Sequence, residues 1–253
     1  MFDISEASMK SLNPILLFLI TTLLACSSPQ QKTKERTYGV LVFYKTAGFY
    51  HNSIPAGLVA LQELGKEHAF TVDTTNNAAV FTAESLKKYR AVIFLSTTQN
   101  VLDPAQEKAM EGYIKAGGGF VGIHAATDTE YDWPWYNQLV GAQFASHPAI
   151  QEATVRVLDH KHPATSFLPA SWQRKDEWYN FKNISPNIKV LATLDEATYT
   201  GGQNGDHHPI AWYHAFDGGR AFYTGGGHTK ESFQEPLFRQ HLLGGILYAM
   251  GKK

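Results

Sequence analysis

Three of the eleven histidines in this 253-residue chain follow segments with the apolar character of buried strands. His51 comes after the first such segment, His124 after the fourth and His228 after the last. Open α/β sheets bind ligands at the carboxyl ends of their strands, so we expect the three side chains to converge at one edge of a sheet. His147, which follows a tryptophan-rich segment, could reach the same edge.

The segment that ends at His124 has the layout of a nucleophile elbow. An apolar run over residues 119–123 stops at the histidine and continues into Ala125-Ala126-Thr127. In such an elbow, a sharp turn after a strand exposes one side chain above the sheet. Here that side chain is an imidazole and not a hydroxyl or a thiol, so we expect the geometry of a hydrolase or amidotransferase without its nucleophile.

Two kinds of chemistry suit a cluster of His51, His124 and His228. Neutral imidazoles are common metal ligands, and three of them would fit zinc or a similar ion. Alternatively, one histidine acts as a general base and another as an acid, because the ordinary histidine pKa lies near neutral pH. The spacing contains no local metal motif such as H-E-x-x-H, so the identity of any cofactor stays open.

Two carboxylates are candidates to support the histidines. Glu177 belongs to the acidic-aromatic segment 176–179, and Asp128 lies four residues after His124. Either could orient an imidazole or act in acid-base chemistry, and we place Tyr179 with Asp128 and His147 among the substrate-binding residues. Asp176 is expected on the solvated surface more readily than Glu177, which stands beside a tryptophan.

An aromatic segment over residues 131–136 contains Trp133 and Trp135 and follows neither a helical nor a strand period. These rings could stack on a sugar or another apolar ligand face, or they could pack down as a loop over the core. Both interpretations stay open, and the two tryptophans are our candidates for holding a sugar ring.

The elements that position these residues form an α/β pattern. In the first half of the globular part, four apolar segments are predicted strands, at residues 38–44, 69–75, 90–96 and 119–123. Helical patterns lie between them, which implies parallel pairing and a layered fold. Later predicted strands at 210–216 and 220–224 adjoin through Asp217-Gly218-Gly219, and a tight turn of this kind joins antiparallel strands. We therefore predict a mostly parallel central sheet with antiparallel edge strands.

Composition excludes several classes of function. The 22 basic and 23 acidic residues nearly cancel, and no basic run interleaves with aromatic residues, so nucleic acid is not an expected partner. The glycine runs at 117–119 and 225–227 lack the spacing of dinucleotide-binding or phosphate-binding loops, so no nucleotide is expected.

The N-terminus is predicted to be a targeting segment. An apolar run from Ile15 to Ala25 is too short to span a bilayer and leads directly to Cys26, as in a bacterial lipoprotein signal. We predict a signal peptide over residues 1–25, with Met9 as an alternative start, and lipidation of Cys26. A polar tether over 26–36 would lead to one domain at 37–253 on the periplasm-facing side of a membrane. Because Cys26 is the only cysteine, a lipidated chain has no free thiol for catalysis.

The sequence resembles the ThuA-like family, named for trehalose utilisation. The matching segments span the whole domain: residues 45–53, residues 118–127, Trp135-Tyr136 through His147-Pro148, Asp176-Glu177-Trp178-Tyr179, residues 209–212 and residues 218–229. The resemblance implies a three-layer sandwich of the flavodoxin-like or class I glutamine amidotransferase-like type. In amidotransferases a cysteine holds the elbow position where His124 stands here, so no glutaminase reaction is expected.

The resemblance also implies a role in sugar metabolism, with trehalose or keto-sugars as ligands and a sugar oxidoreductase as a possible partner. Our first hypothesis is a membrane-tethered enzyme with His124, His51, His228 and Glu177 at its catalytic centre. The alternatives are a non-catalytic sugar-binding module and a structural metalloprotein.

Overall fold

The computed structural model describes residues 39–252, which form a nine-stranded sheet, a two-stranded sheet and five α-helices. The strands are β1 (Gly39–Phe43), β2 (Thr71–Thr75), β3 (Tyr89–Leu95), β4 (Gly119–Ile123), β5 (Gln143–Ser146), β6 (Gln151–Val157), β7 (Ser171–Asp176), β8 (Asn180–Lys182), β9 (Lys189–Asp195), β10 (His208–Phe216) and β11 (Gly219–Thr224). The helices are α1 (Ile54–Glu67), α2 (Ala83–Leu86), α3 (Pro104–Lys115), α4 (Pro134–Val140) and α5 (Pro236–Ala249).

The large sheet is mixed, with the strand order β2-β1-β3-β4-β11-β10-β9-β6-β7. Its first five strands are parallel to one another. From β11 onward each neighbouring pair is antiparallel. This arrangement confirms the predicted fold class of a parallel centre extended by antiparallel strands.

The central strands β1 and β4 are buried along their whole length, and β3 is buried over its last five residues. Strands covered on both faces have continuous apolar runs, which is why periodicity located them. Helices α1 and α5 contact each other, as do α2 and α3. Right-handed crossovers place these two pairs on opposite faces of the parallel strands.

Local sequence signals begin and end α3. Asp103 accepts hydrogen bonds from the backbone N–H groups of Ala105 and Gln106, and the Gln106 side chain accepts one from the Asp103 backbone. This capping box, with Pro104 at the first helical position, fixes the start of the helix. Gly117, with a φ of 92°, follows the end of α3 in a left-handed conformation that favours glycine.

Three strands, β5, β7 and β8, do not follow from the apolar pattern. Strand β7 alternates buried and exposed residues, but the buried ones are Trp172, Arg174 and Asp176. A strand that turns an arginine and an aspartate inward has no amphipathic signature. The expectation that Asp176 is a solvated surface residue was therefore wrong: it is fully buried.

The predicted signal peptide, the lipidated Cys26 and the tether lie outside the residues that the structure describes. Among residues 39–252, no helix combines the length and the apolar character that crossing a membrane requires.

Candidate functional site

The turn predicted after β4 is present and is centred on His124. Its backbone has a φ of 51°, a left-handed conformation that a non-glycine residue adopts only under local constraint. The constraint is visible, because the Tyr223 hydroxyl donates a 2.7 Å hydrogen bond to the His124 carbonyl. Gly122 allows the Tyr223 ring to pack closely against β4, since a Cβ at this position would lie 2.9 Å from that ring. The imidazole is therefore held at the carboxyl end of the strand.

Four side chains from separate parts of the chain meet at this edge: His51, His124, Glu177 and His228. We call them the His3Glu cluster. His124 Nε2 lies 3.1 Å from His228 Nδ1 and 3.5 Å from Glu177 Oε2, and His228 Nδ1 lies 2.9 Å from the same oxygen. The His51 ring stands edge-on to the other two imidazoles, with centroids 4.8 and 5.2 Å away. One potential ligand atom from each of the four lies within 4.8 Å of the others.

Backbone contacts fix the orientation of the His124 ring. Its Nδ1 lies 3.0 Å from the carbonyl oxygen of Gly225, in the loop after β11. A carbonyl can only accept, so Nδ1 carries the proton. Its Nε2 faces Glu177 and His228. The mutual orientation of His124 and the loop that carries His228 is thereby fixed.

Asp176 organises the loop that carries His228. Its two carboxylate oxygens accept hydrogen bonds from the backbone N–H groups of Gly227, at 2.8 Å, and His228, at 3.1 Å. The Ser232 hydroxyl donates another at 2.7 Å. From the other side, the Ser53 hydroxyl donates to the Gly227 carbonyl at 2.9 Å. Sequence reasoning missed these three supporting residues, although Asp176 is adjacent to the predicted site residue Glu177.

Burial and mutual contact shift the pKa values of two cluster members. Burial, reinforced by the neighbouring His124 and His228 imidazoles, lowers the pKa of His51 to about 3. Burial by itself would raise the pKa of Glu177, but the hydrogen bonds and charges of His124 and His228 outweigh it and hold that pKa well below the usual range. At neutral pH the cluster therefore combines a neutral His51 with an anionic Glu177.

Three further predicted site residues lie around the cluster. His147 Nδ1 is 3.0 Å from Glu177 Oε1, the oxygen that faces away from the other histidines, and its side chain is 43% exposed. The Tyr179 ring packs against His124 with centroids 4.3 Å apart. Asp128 accepts a hydrogen bond from the Tyr131 hydroxyl, and burial raises its pKa although that hydrogen bond opposes the shift.

Trp133 and Trp135 are not brought to the cluster by any contact within the described part of the chain. Their rings stack on each other at 5.0 Å. The indole N–H of Trp135 donates to Asp217, in the turn between β10 and β11. That turn precedes β11, which runs parallel to β4, so it lies at the sheet edge opposite His124. Their role in holding a sugar ring stays a prediction, and their placement favours the alternative of a loop packed on the core.

A different aromatic residue stands at the mouth of the site. Phe49 is 65% exposed, and its ring lies edge-on to His51 at 4.9 Å. Tyr50, next to it, is 50% exposed. Sequence reasoning did not select Phe49 and Tyr50 as site residues. Their position directly before His51 in the sequence could have indicated that they lie near the site.

Comparison with known proteins places the chain among ThuA-like proteins. The sequence profile of the ThuA family, described as trehalose utilisation, matches residues 39–249. A ThuA-like protein from Bacteroides uniformis is 25% identical, with a TM-score of 0.74, over 88% of this chain and 95% of that one. A ThuA-like protein from Parabacteroides merdae is 22% identical, with a TM-score of 0.72, over 85% and 91%.

Part of a larger enzyme has a related fold. The β-galactosidase from Bacillus circulans sp. alkalophilus is 14% identical with a TM-score of 0.58, over 86% of this chain but 32% of that one. At this identity the likeness concerns the fold alone. No functionally curated protein matches the sequence.

Proposed function

This chain belongs to the ThuA family, described by trehalose utilisation, and from that premise we propose that it is a carbohydrate-active enzyme whose reaction centre is the His3Glu cluster. The observation that carries the proposal is the convergence of three imidazoles and one carboxylate above a strained turn, with one potential ligand atom from each within 4.8 Å of the others. Clusters of titratable groups with shifted pKa values at the carboxyl edge of an α/β sheet are typical of active sites.

The reaction we propose does not use a thiol. His124 occupies the elbow position, and the single cysteine of the chain, Cys26, lies far from it in sequence and outside the described residues. A glutaminase needs a thiolate at the elbow to attack the amide carbon. Acid-base chemistry, assisted by a metal or not, is what imidazoles and a carboxylate support instead.

His147 is the group best placed to move a proton. Its Nδ1 lies 3.0 Å from Glu177 Oε1 and 2.9 Å from the Pro148 carbonyl, and both can only accept. Nδ1 therefore carries a proton, and in the neutral ring the lone pair is on Nε2. In a keto-sugar, this nitrogen would take the proton from the carbon next to the carbonyl, and the C–H electron pair would form an enolate. Collapse of that enolate would re-form the carbonyl, make a carbon–carbon double bond and expel the glycosidic oxygen on the adjacent carbon. The leaving oxygen would take up the proton that His147 removed, so an unsaturated keto-sugar and a free alcohol result.

The test of this proposal is turnover by the full-length protein. Trehalose, simple glucosides and their 3-keto derivatives would be incubated in D2O, with NMR following deuterium exchange next to the carbonyl and release of the free sugar. We expect His124→Ala and His147→Ala to lower the rate at least about 100-fold, the usual range for a catalytic acid or base. His160→Ala, at an exposed histidine outside the candidate site, is the matched control and should retain the wild-type rate.

Two outcomes would contradict the proposal. Full turnover by His124→Ala would remove the cluster from the chemistry. Saturable sugar binding by the wild type with no exchange or cleavage of any substrate would identify the alternative, a non-catalytic sugar-binding module. In that case binding should survive His124→Ala.

We also propose that the enzyme is anchored to the bacterial envelope through lipid on Cys26, facing the periplasm, where a sugar oxidoreductase could supply keto-sugars. The support is the apolar run before Cys26 and the polar segment after it. We expect the wild type in the membrane fraction and Cys26→Ser in the soluble fraction, as measured by immunoblot of fractionated cells. Equal distribution of the two proteins would contradict lipid anchoring.

A further inference from the structure

We propose that the His3Glu cluster binds one divalent transition-metal ion, with an imidazole nitrogen from each of His51, His124 and His228 and a carboxylate oxygen of Glu177 as ligands. This inference concerns the same site as the proposed function but stands on separate observations. A metal can bind without sugar turnover, and turnover by acid-base chemistry can occur without a metal, so the two proposals can fail separately.

The separations between the potential ligand atoms are the first support. Ligands about 2.0–2.1 Å from a tetrahedral zinc ion lie about 3.3 Å from one another, and an octahedral ion with bonds of similar length places adjacent ligands about 3 Å apart. His124 Nε2, His228 Nδ1 and Glu177 Oε2 form a triangle with sides of 2.9, 3.1 and 3.5 Å. These atoms already have the spacing of one face of a coordination shell, and the ligand atom from His51 lies within 4.8 Å of each.

An unpartnered polar atom is the second support. His51 is 3% exposed, and its Nδ1 is buried with no hydrogen-bond partner in the described part of the chain. Buried polar atoms in native proteins nearly always have a partner, and each exception indicates something further, such as an ion or a water. Its ring lies edge-on to the rings of His124 and His228, with centroids 4.8 and 5.2 Å away. The His124–His228 hydrogen bond in the cluster does not include His51. A bound ion would give this buried imidazole a partner.

Contacts outside the cluster are the third support. Histidines that bind metals usually donate their other ring N–H to a carbonyl or carboxylate, which fixes the ring and exposes the lone pair. His124 does this through Nδ1 and the Gly225 carbonyl, so Nε2 faces the proposed ion. Glu177 uses Oε2 toward the cluster while Oε1 contacts His147. The Gly225 carbonyl and the His147 ring therefore fix the orientation of His124 and Glu177 without contacting the proposed ion.

The ligand set indicates the class of metal. Three imidazoles and one carboxylate suit zinc and neighbouring ions such as manganese, iron, cobalt and nickel, and not calcium, which prefers oxygen ligands. A site that accepts substrate must keep a coordination position open. With four protein ligands, the proposed ion would therefore have a fifth or sixth position for a substrate oxygen.

The experiment uses the full-length protein without a polyhistidine tag, stripped with a chelator. Isothermal titration with Zn²⁺, Mn²⁺, Co²⁺ and Ni²⁺ chlorides, and elemental analysis after desalting, would give affinity and stoichiometry. We expect one ion per chain for at least one metal. His51→Gln and Glu177→Gln should each weaken binding at least 10-fold, because even residues behind the ligands commonly contribute that much.

The matched control is the double variant His160→Ala/His207→Ala, which removes two exposed histidines and should bind as the wild type does. Circular dichroism of the metal-free variants confirms that they are folded. The absorption spectrum of the Co²⁺-loaded protein should change in both cluster variants and not in the control. Absence of stoichiometric binding by the wild type for every metal, or equal affinity of the wild type and both cluster variants, would overturn the proposal.

Discussion

Asp176 determines where His228 lies, although it is not itself a member of the His3Glu cluster. It is fully buried, and its carboxylate accepts hydrogen bonds from two consecutive backbone N–H groups, those of Gly227 and His228. The buried Arg174 lies 3.5 Å from it and balances its charge. One inward-facing pair of charged residues on β7 therefore supports the loop that carries a candidate catalytic residue.

We expect Asp176→Asn to lower the free energy of unfolding by about 3 kcal/mol, because it breaks a buried ion pair and leaves Arg174 paired only with Glu235. The asparagine side chain also has only one acceptor oxygen, so it can accept from the backbone N–H of Gly227 or from that of His228 but not through two oxygens as Asp176 does. Urea unfolding followed by fluorescence measures the change. Glu63→Gln, which breaks a surface ion pair with Arg239, is the control and should cost much less. Equal losses for the two variants would contradict a special role of Asp176.

At the scale of elements, the connection between β1 and α1 presents Phe49 from a fixed backbone. Ala47 N–H donates to the Thr98 carbonyl at 2.9 Å, and the Thr98 hydroxyl donates to the Phe49 carbonyl at 3.1 Å. Gly48 N–H in turn donates to the same hydroxyl. An apolar ring held this way beside His51 and left 65% exposed offers a flat face to a ligand at the site.

We expect Phe49→Ala to weaken binding of a sugar substrate about 10-fold, equivalent to about 1.4 kcal/mol, because the C–H face of a pyranose would lose its stacking partner. Isothermal titration of the full-length protein provides the measurement. Leu158→Ala removes another exposed apolar side chain, after β6, and should leave the affinity unchanged. If Phe49→Ala binds sugar as tightly as the wild type does, the ring does not contact the ligand.

At the scale of the whole molecule, the sheet must curve to assemble the site. Strand β7 is the fourth strand from β11, which corresponds to about 19 Å in a flat sheet with the usual spacing between strands. Yet Asp176, the last residue of β7, lies 2.8 Å from the backbone nitrogen of Gly227, just after β11. The antiparallel half therefore bends back toward the parallel half, and this curvature brings Glu177 to the histidines.

The buried His241 makes the free energy of unfolding depend on pH. His241 on α5 is 2% exposed, packs against Phe222 and Phe238, and has a pKa lowered to about 4, chiefly by burial, although its hydrogen bond to the Ala164 carbonyl opposes the shift. In the unfolded chain its pKa returns to about 6.5. Between those two values the unfolded state binds the extra proton, so stability is full above pH 6.5 and falls as the pH drops toward 4.

We expect this histidine to contribute a slope of about 1.4 kcal/mol per pH unit to the free energy of unfolding within that window. In His241→Gln that contribution is absent, so the stability difference between wild type and variant should shrink as the pH falls from 7 to 5. Urea unfolding at three pH values measures it. His160→Gln, at an exposed histidine, should keep the wild-type slope. Parallel curves for wild type and His241→Gln would show that folding does not lower the pKa of His241.

Most of the fold follows from local patterns in the sequence. The continuous apolar runs identified β1, β3 and β4, since such runs depend only on neighbouring residues. The capping residues Asp103 and Pro104, which mark the start of α3, are local signals of the same kind. Strands β5 and β8 are short, and β7 buries charged residues, so no periodic signal marks them. Long-range partners, and not local preference, decide that those segments are extended.

The sequence by itself determined that His51, His124 and His228 follow strands of an α/β sheet, because strand ends can be located from local apolar runs and parallel strands share an edge. Only the tertiary structure decided that Glu177 joins them, that Asp176 is buried behind His228, and that Phe49 stands beside the site while Trp135 contacts the opposite edge. Those contacts depend on strand order and on the curvature of the sheet, which arise from pairing between residues far apart in the chain.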